Sequence, residues 1–318
     1  MSSFVRQPML HPVSVVFLDD NADFLDGLRG IFRDRALNRF FTRPQAALEF
    51  LSARDRGVPR IRIAGAGFSQ IEAGSNALGR DALSDGARFE EVAAVVVDYE
   101  MPEIDGIRFL SSIEDVACAK ILLTGAAGYR EAVDAFNAGL IDLYLTKGDT
   151  DMTGKLATAL AQAKKAHCRR RGHIGVHGIG TAYSDPRVVQ VLDRLAAREN
   201  LVEYYWRPDQ NAVLMFDAAG NPSVFTAWDA DEWEFQRDTV TDAGGPEWLR
   251  RSLEDRSIMP LFWPHQAYRP DAAYVTTAKP IPIAQWEGAF YSLTPLDASE
   301  VDAELVSFAK WRQASGER

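Results

Sequence analysis

Four short apolar runs, at residues 13–18, 92–97, 121–124 and 143–145, constrain this chain more than any other feature. Continuous Val- and Ile-rich runs, in place of alternating ones, are what a parallel sheet requires when both of its faces are covered. A fifth, shorter strand is predicted around residues 39–42. Helical patterns fill the gaps, at 22–33, 44–51, 107–113, 130–137 and 151–167. Strand and helix therefore alternate, which predicts an α/β fold built on a five-stranded, doubly wound parallel sheet.

One segment breaks the rhythm. From about residue 54 to 90 the sequence is rich in Gly, Ser, Ala and Arg without a sustained period. It reads as a long insertion, with one strand expected at 61–64 and a disordered tip. Further on, Lys164, Lys165, His167, Arg169, Arg170 and Arg171 close the fifth helix, where the helix dipole favours cations. Gly172, Gly175, Gly178 and Gly180 follow and mark a boundary. A length of 318 residues exceeds the usual size of one domain. The expected division is an N-terminal extension at 1–12, an α/β domain at 13–168, a linker at 169–180, and a smaller α+β domain at 181–318.

The candidate chemistry lies where the predicted strands end. Asp19 and Asp20 follow the first strand and Asp98 ends the third, trailed by Tyr99-Glu100-Met101-Pro102 and Asp105-Gly106. The carboxyl edge of an open parallel sheet is where such folds build their sites. Adjacent carboxylates are costly unless a cation joins them, and three acidic oxygens suit Mg²⁺, a hard ion that prefers carboxylate, carbonyl and water ligands. Thr124 closes the fourth strand and Lys147 the fifth. A hydroxyl donor and an ammonium at the same edge supply what a phosphoryl group on Asp98 needs to spread its charge.

Taken in order, these residues resemble the receiver domain of bacterial response regulators, the signalling partners in two-component systems. The family pattern is an acidic pair, a phosphoacceptor Asp, Met-Pro with Asp/Asn-Gly, Thr or Ser, and Lys, each at its strand end; the resemblance covers about residues 13–168. It implies a flavodoxin-like sheet and a set of roles. Asp98 is the phosphoacceptor and nucleophile, Asp20 a direct Mg²⁺ ligand with Asp98 and the backbone carbonyl of Glu100, and Asp19 a ligand through water. Thr124 and Lys147 contact the phosphoryl oxygens, and Tyr144 is the aromatic that moves with Thr124 as the switch. A sensor histidine kinase or phosphotransfer protein is the implied phosphoryl source, and phosphorylation-dependent homodimerisation the implied response. Two departures stand out: Gly148 replaces the Pro usual after the Lys, and the insertion stretches the Asp20–Asp98 separation to 78 residues.

The second half resembles no output domain. Strands are predicted at 202–206, 212–216 and 223–228, helices at 231–237 and 246–253, a strand pair at 274–280 with 289–293, and a closing helix at 299–312 capped by Ser299 and Asp302. From residue 172 onward 13 Lys/Arg face 22 Asp/Glu, and the whole chain carries a formal charge of −10. Both argue against DNA and anionic membrane as partners. No GGDEF-like, EAL-like, HD-GYP-like, kinase-like or P-loop run is present, so a non-enzymatic output acting on a downstream protein is expected.

The alternative is a phosphorylation-gated enzyme, with His177 or His265 beside a nucleophile. Pro270-Asp271 and Lys279 resemble a degenerate restriction-nuclease pattern in which Thr277 replaces the acid, and residues 213–228 resemble the opening hairpin of a PAS-like sensory domain. Asp229, Asp231, Glu232 and Glu234 beside Trp228 and Trp233 read as a capped helix start. Cys118 and Cys168 are too few for a disulfide framework, and the first dozen residues lack the form of a secretory signal, so a cytoplasmic location is expected.

Overall fold

The computed structural model describes residues 5–34, 37–57, 83–125, 128–171, 174–175, 181–207, 209–272 and 274–316. The strand and disordered tip expected within the insertion, and His177, lie outside them. The chain opens with strands β1 (Val5–Arg6) and β2 (Met9–Leu10). There follow β3 (Ser14–Leu18), α1 (Ala22–Ile31), β4 (Asn38–Phe41), α2 (Pro44–Gly57), β5 (Val92–Asp98), α3 (Gly106–Ser112), β6 (Ala119–Thr124), α4 (Tyr129–Asn137), β7 (Leu143–Thr146) and α5 (Met152–Arg171). After β8 (Ile174–Gly175), α6 (Thr181–Ser184) and α7 (Pro186–Arg198) come β9 (Leu201–Arg207), β10 (Ala212–Asp217) and β11 (Pro222–Trp228). The remainder is α8 (Ala230–Asp242), α9 (Glu247–Glu254), β12 (Met259–Leu261), β13 (Thr276–Ala278), β14 (Ile281–Pro282), β15 (Phe290–Pro295) and α10 (Phe308–Ala314).

These elements form two compact units. Described residues 12–57 and 86–168 make the first, whose parallel sheet has the order β4-β3-β5-β6-β7. All five strands and all five helices lie within a few residues of the positions read from the sequence. Alternate side chains of each strand point to opposite faces, and both faces are buried. Val16, Leu18, Val95, Val97 and Leu122 pack against Leu51 of α2, Phe109 of α3 and Ala135 of α4. Val15, Phe17, Val96, Ile121 and Leu123 pack against Leu28 of α1 and Leu156 of α5. Burying each such side chain stabilises the fold by about 1.5–3 kcal/mol, which is why the runs are continuous. The register pairs Leu18 with Val97, Asp98 with Leu123, and Thr124 with Thr146, so the polar residues at the strand ends meet along one edge.

The basic cluster ending α5 is not a free cationic face. His167 is buried, and its Nε2 lies 2.7 Å from Glu91 Oε2 at the start of β5. Burial, the largest influence, lowers the pKa of Lys164.

The second unit is α+β, centred on an antiparallel sheet of order β14-β15-β11-β10-β9-β2. Val188, Val191, Leu192 and Leu195 of α7 cover one face against Trp206, Val213, Met215 and Phe225. This helix was not anticipated, although Asp185-Pro186 is a start signal: the Asp185 carboxylate caps it and Pro186 occupies its first turn. The hairpin of β10 and β11 turns at Gly220, whose φ of 88° and closeness to Ala309 leave no room for a side chain.

This unit gathers more chain than residues 181–318. The segment read as an extension supplies β2, with Met9 opposite Tyr205 and Leu10 opposite Tyr204, and β1 pairs with β8 from the segment read as linker. From the end of the insertion Leu83 joins the core, its carbonyl accepting from Val306 N at 3.0 Å. A sheet edge exposes a row of unpaired N–H and C=O groups, and β9 satisfies its own by recruiting chain that precedes β3. Two local expectations also fail. The closing helix at 299–312 is split into a 3-10 turn, Ala298–Glu300, with a capping box of Asp297 and Glu300, and α10, capped by Ser307. In place of the expected pair 274–280 with 289–293, β13 pairs with β12, while β15 pairs with β11 and β14.

All seven tryptophans belong to the second unit, so their fluorescence reports its unfolding alone. Deleting residues 1–11 removes β2 and the buried Met9. The expected outcome in urea is a tryptophan-detected transition that reports about 2–3 kcal/mol less stability.

Candidate functional site

Each side chain at the sheet edge is held by its own local structure. Asp19 accepts from Asn21 N at 2.9 Å, and Asn21 in turn caps α1 by accepting from Phe24 N. Asp98 is buried, and the chain beyond it is drawn back by Tyr99 N donating to Leu123 O at 2.8 Å. Asp105 caps α3 by accepting from Arg108 N at 2.8 Å. Gly106 follows it for a steric reason: a Cβ there would lie 2.3 Å from the Asp98 carbonyl oxygen. Lys147 N donates to Thr124 O at 2.9 Å, which fixes the end of β7 against β6.

The Lys147 ammonium joins the acidic groups, with Nζ 2.7 Å from Asp19 Oδ2 and 2.9 Å from Asp98 Oδ2. It also lies 4.6 Å from the centre of the Phe24 ring, a favourable cation–π distance. Oxygens of Asp19, Asp20 and Asp98 lie within 4.8 Å of one another, with Asp20 exposed and the other two buried. Three carboxylates against one ammonium leave excess negative charge, and an all-oxygen cluster with one open side fits a hydrated hard dication such as Mg²⁺. Burial raises the Asp98 pKa and the charge of Asp19 adds to it, against the opposing hydrogen bond from Lys147. Burial works against the Lys147 ammonium, but its bonds to Asp19 and Asp98 outweigh that and raise its pKa.

Thr124 is fully buried at the same edge, its hydroxyl donating to Gly125 O at 3.0 Å. One participant, Gly128, escaped the sequence reading. A Cβ on Gly128 would fall 2.2 Å from the Tyr99 ring and 2.5 Å from Thr124 Oγ1, so the glycine backbone packs directly on both. The Gly125 and Gly128 pair flanking the start of α4 was the available signal. Tyr144 is half-buried, and its ring meets Tyr129 and Phe136 edge-on at 5.7 and 6.1 Å. The side chain of Glu100 is exposed beside the cluster.

In the second unit the suspected motifs resolve structurally. Asp229 caps α8, and Trp228 and Trp233 pack edge to face in the core. Asp271 is paired with Arg269, and Thr277 lies on β13. His265 lines a cleft of about 220 Å³ with Trp263, Asp271, Tyr274 and Glu300. Glu300 already accepts from Tyr274 OH at 2.8 Å and from Asp297 N at 3.0 Å.

Comparison with solved structures gives a match along almost the whole chain. The response regulator LqsR of Legionella pneumophila superposes with a TM-score of 0.71 at 24 % identity, covering 96 % of this chain and 95 % of that one. The first half has the receiver fold of response regulators. The receiver domain of an HD-domain protein from Pseudomonas fluorescens matches at 20 % identity over 51 % of this chain and 99 % of its own, TM-score 0.35. TrrA from Thermotoga maritima, in complex with Mg²⁺ and BeF, matches at 15 % over 48 % and 98 %, TM-score 0.30. No family model and no curated relative matches the sequence. Among the described residues no helix is long and apolar enough to cross a membrane.

The raised Asp98 pKa sets a sign for stability. The folded receiver holds this proton more tightly than the unfolded chain, so without metal its stability falls as pH rises through the window just above 3.8, the ordinary value. Asp98→Asn mimics the neutral form. In EDTA at pH 7 it is expected to raise the thermal midpoint of the receiver, with the gain shrinking toward pH 3.8. Adding Mg²⁺ should stabilise the wild type by mass action and the variant much less.

Proposed function

We propose that this protein is a response regulator that takes a phosphoryl group onto Asp98. The observation that carries the reading is the Lys147 ammonium within 3 Å of both Asp19 and Asp98, with Asp20 completing the acidic cluster. In the proposed reaction an Asp98 carboxylate oxygen attacks phosphorus in line, the bond to the donor's leaving group breaks, and that group departs with its electron pair. Phosphoryl transfer of this kind depends on positioning and on stabilising charge. Lys147 is placed to shift its ammonium from the Asp98 carboxylate to the new phosphoryl oxygens. Thr124 is placed to turn its hydroxyl from Gly125 O toward them. Asp20, Asp98 and the Glu100 carbonyl, with Asp19 beside them, would hold Mg²⁺, which would supply neutralising charge.

A sensor histidine kinase or a phosphotransfer protein is the proposed donor in a phosphorelay. The proposed readout is the rearrangement of Thr124 with the Tyr144 ring and its neighbours Tyr129 and Phe136 on α4, a population shift biased by the phosphoryl group. The second unit is proposed to be a non-enzymatic output that acts on a protein and does not bind DNA, in keeping with its excess of acidic residues. The His265 cleft gives a gated enzyme its best footing, but both of its carboxylates are engaged by partners within the chain, which favours the non-catalytic reading.

Incubation with radiolabelled acetyl phosphate and Mg²⁺ tests the assignment. Label should enter the wild type and be lost completely in Asp98→Asn. Asp105→Asn, which keeps the cap on α3, should label normally. Lys147→Ala should lose most of the response, and retention of label by Asp98→Asn would falsify the assignment. Exposed Glu100, two residues beyond the phosphoacceptor, is expected to set the lifetime of the phosphoryl group by repelling it or orienting a water. Glu100→Ala should change the dephosphorylation rate several-fold, measured by decay of label after the donor is removed.

A further inference from the structure

The second unit holds a charged group that the chemistry at Asp98 does not use. Arg207, the last residue of β9, is only 2 % exposed. A guanidinium stays protonated in proteins and presents five N–H donors in a planar fork. Among the described residues its one side-chain hydrogen bond runs from Nη2 to Asp302 Oδ2, at 2.7 Å. Arg207 lines a cleft of about 310 Å³, with Leu83, Asp302, Ala303, Glu304 and Leu305 around it. Taking a cation largely out of water is costly, and a single carboxylate offsets only part of that cost.

We propose that this cleft binds a small organic oxyanion, a carboxylate or phosphate monoester with a short apolar body, on the Arg207 guanidinium. The fork of an arginine matches either headgroup in a bidentate manner. Leu83, Ala303 and Leu305 offer the apolar wall that a hydrocarbon body needs. The volume lies near the lower end of small-molecule sites, about 300–1,000 Å³.

Asp302 is the internal occupant that such a ligand displaces. Its side chain is 51 % exposed, and it sits on the irregular stretch 301–306 between the 3-10 turn and α10, so its carboxylate returns to water without leaving a buried charge. Displacement by a second anion is opposed by Asp302 and Glu304, which sets a threshold that bare inorganic anions do not meet. The proposal does not rest on phosphorylation at Asp98.

Calorimetric titration of the full-length protein with octanoate and octyl phosphate tests this, with octanol and inorganic phosphate as comparators. One or both charged amphiphiles should bind saturably at one site, about tenfold or more tighter than octanol, the worth of a charge-assisted bond. Which headgroup binds identifies the source, and either result upholds the proposal. Asp302→Asn should tighten the charged probe about tenfold, because it removes the competing anion. Arg207→Met should abolish its binding. If Arg207→Met does not fold, the Asp302→Asn arm decides. No binding of either amphiphile, equal binding of octanol, binding of inorganic phosphate alone, or an affinity unchanged by Asp302→Asn overturns the proposal.

Discussion

The first unit depends on one ammonium ion. Parallel register carries Asp19 and Asp98 to adjacent strand ends, where burial and the neighbouring Asp19 carboxylate both act against the charge of Asp98. The Lys147 side chain, anchored by a backbone bond to Thr124 and lying over the Phe24 ring, reaches both carboxylates and offsets that repulsion. The ends of β3, β5 and β7 are thereby tied through a single charge. Anything that draws Lys147 away from the carboxylates alters three strand ends and the chain leading into α5 together. Gly148, where the resembled family has Pro, leaves that chain without a φ constraint at this point.

The second unit shows a different economy of the chain. It closes an edge of its sheet with β2, which lies before the receiver in sequence, and pairs β1 with β8, which lies after it. The receiver is thus inserted in a loop of the unit that follows it, and only Pro12 and Val13 separate buried His11 from the first receiver strand. A fragment beginning at residue 181 would lack β2, β8 and Leu83, with β9 left as a bare edge.

Legibility followed the range of the interactions. Receiver elements were readable because most strands hold consecutive apolar residues and two of the helices carry clear side-chain caps, Asn21 and Asp105. The candidate site was readable because its residues stand at strand ends, whose alignment a parallel sheet imposes. Less was readable where partners are distant: Gly128 is required by contacts with Tyr99 and Thr124, which the sequence reading did not identify. The closing helix was placed wrongly because Ser299 and Asp302 imitate a cap, whereas Asp297 and Ser307 perform the capping and Asp302 pairs with Arg207 instead.

By itself the sequence determined the α/β order of the first half and the identity of its acidic, hydroxyl and ammonium groups, since periodicity and strand-end chemistry are local properties. Tertiary structure alone decided that Lys147 bridges Asp19 and Asp98, and that residues before the first receiver strand complete the sheet of the second unit. It also decided that Arg207 is buried against a cleft. These outcomes rest on which distant groups come together when edges are paired and charges are compensated, a choice made by the packed molecule as a whole.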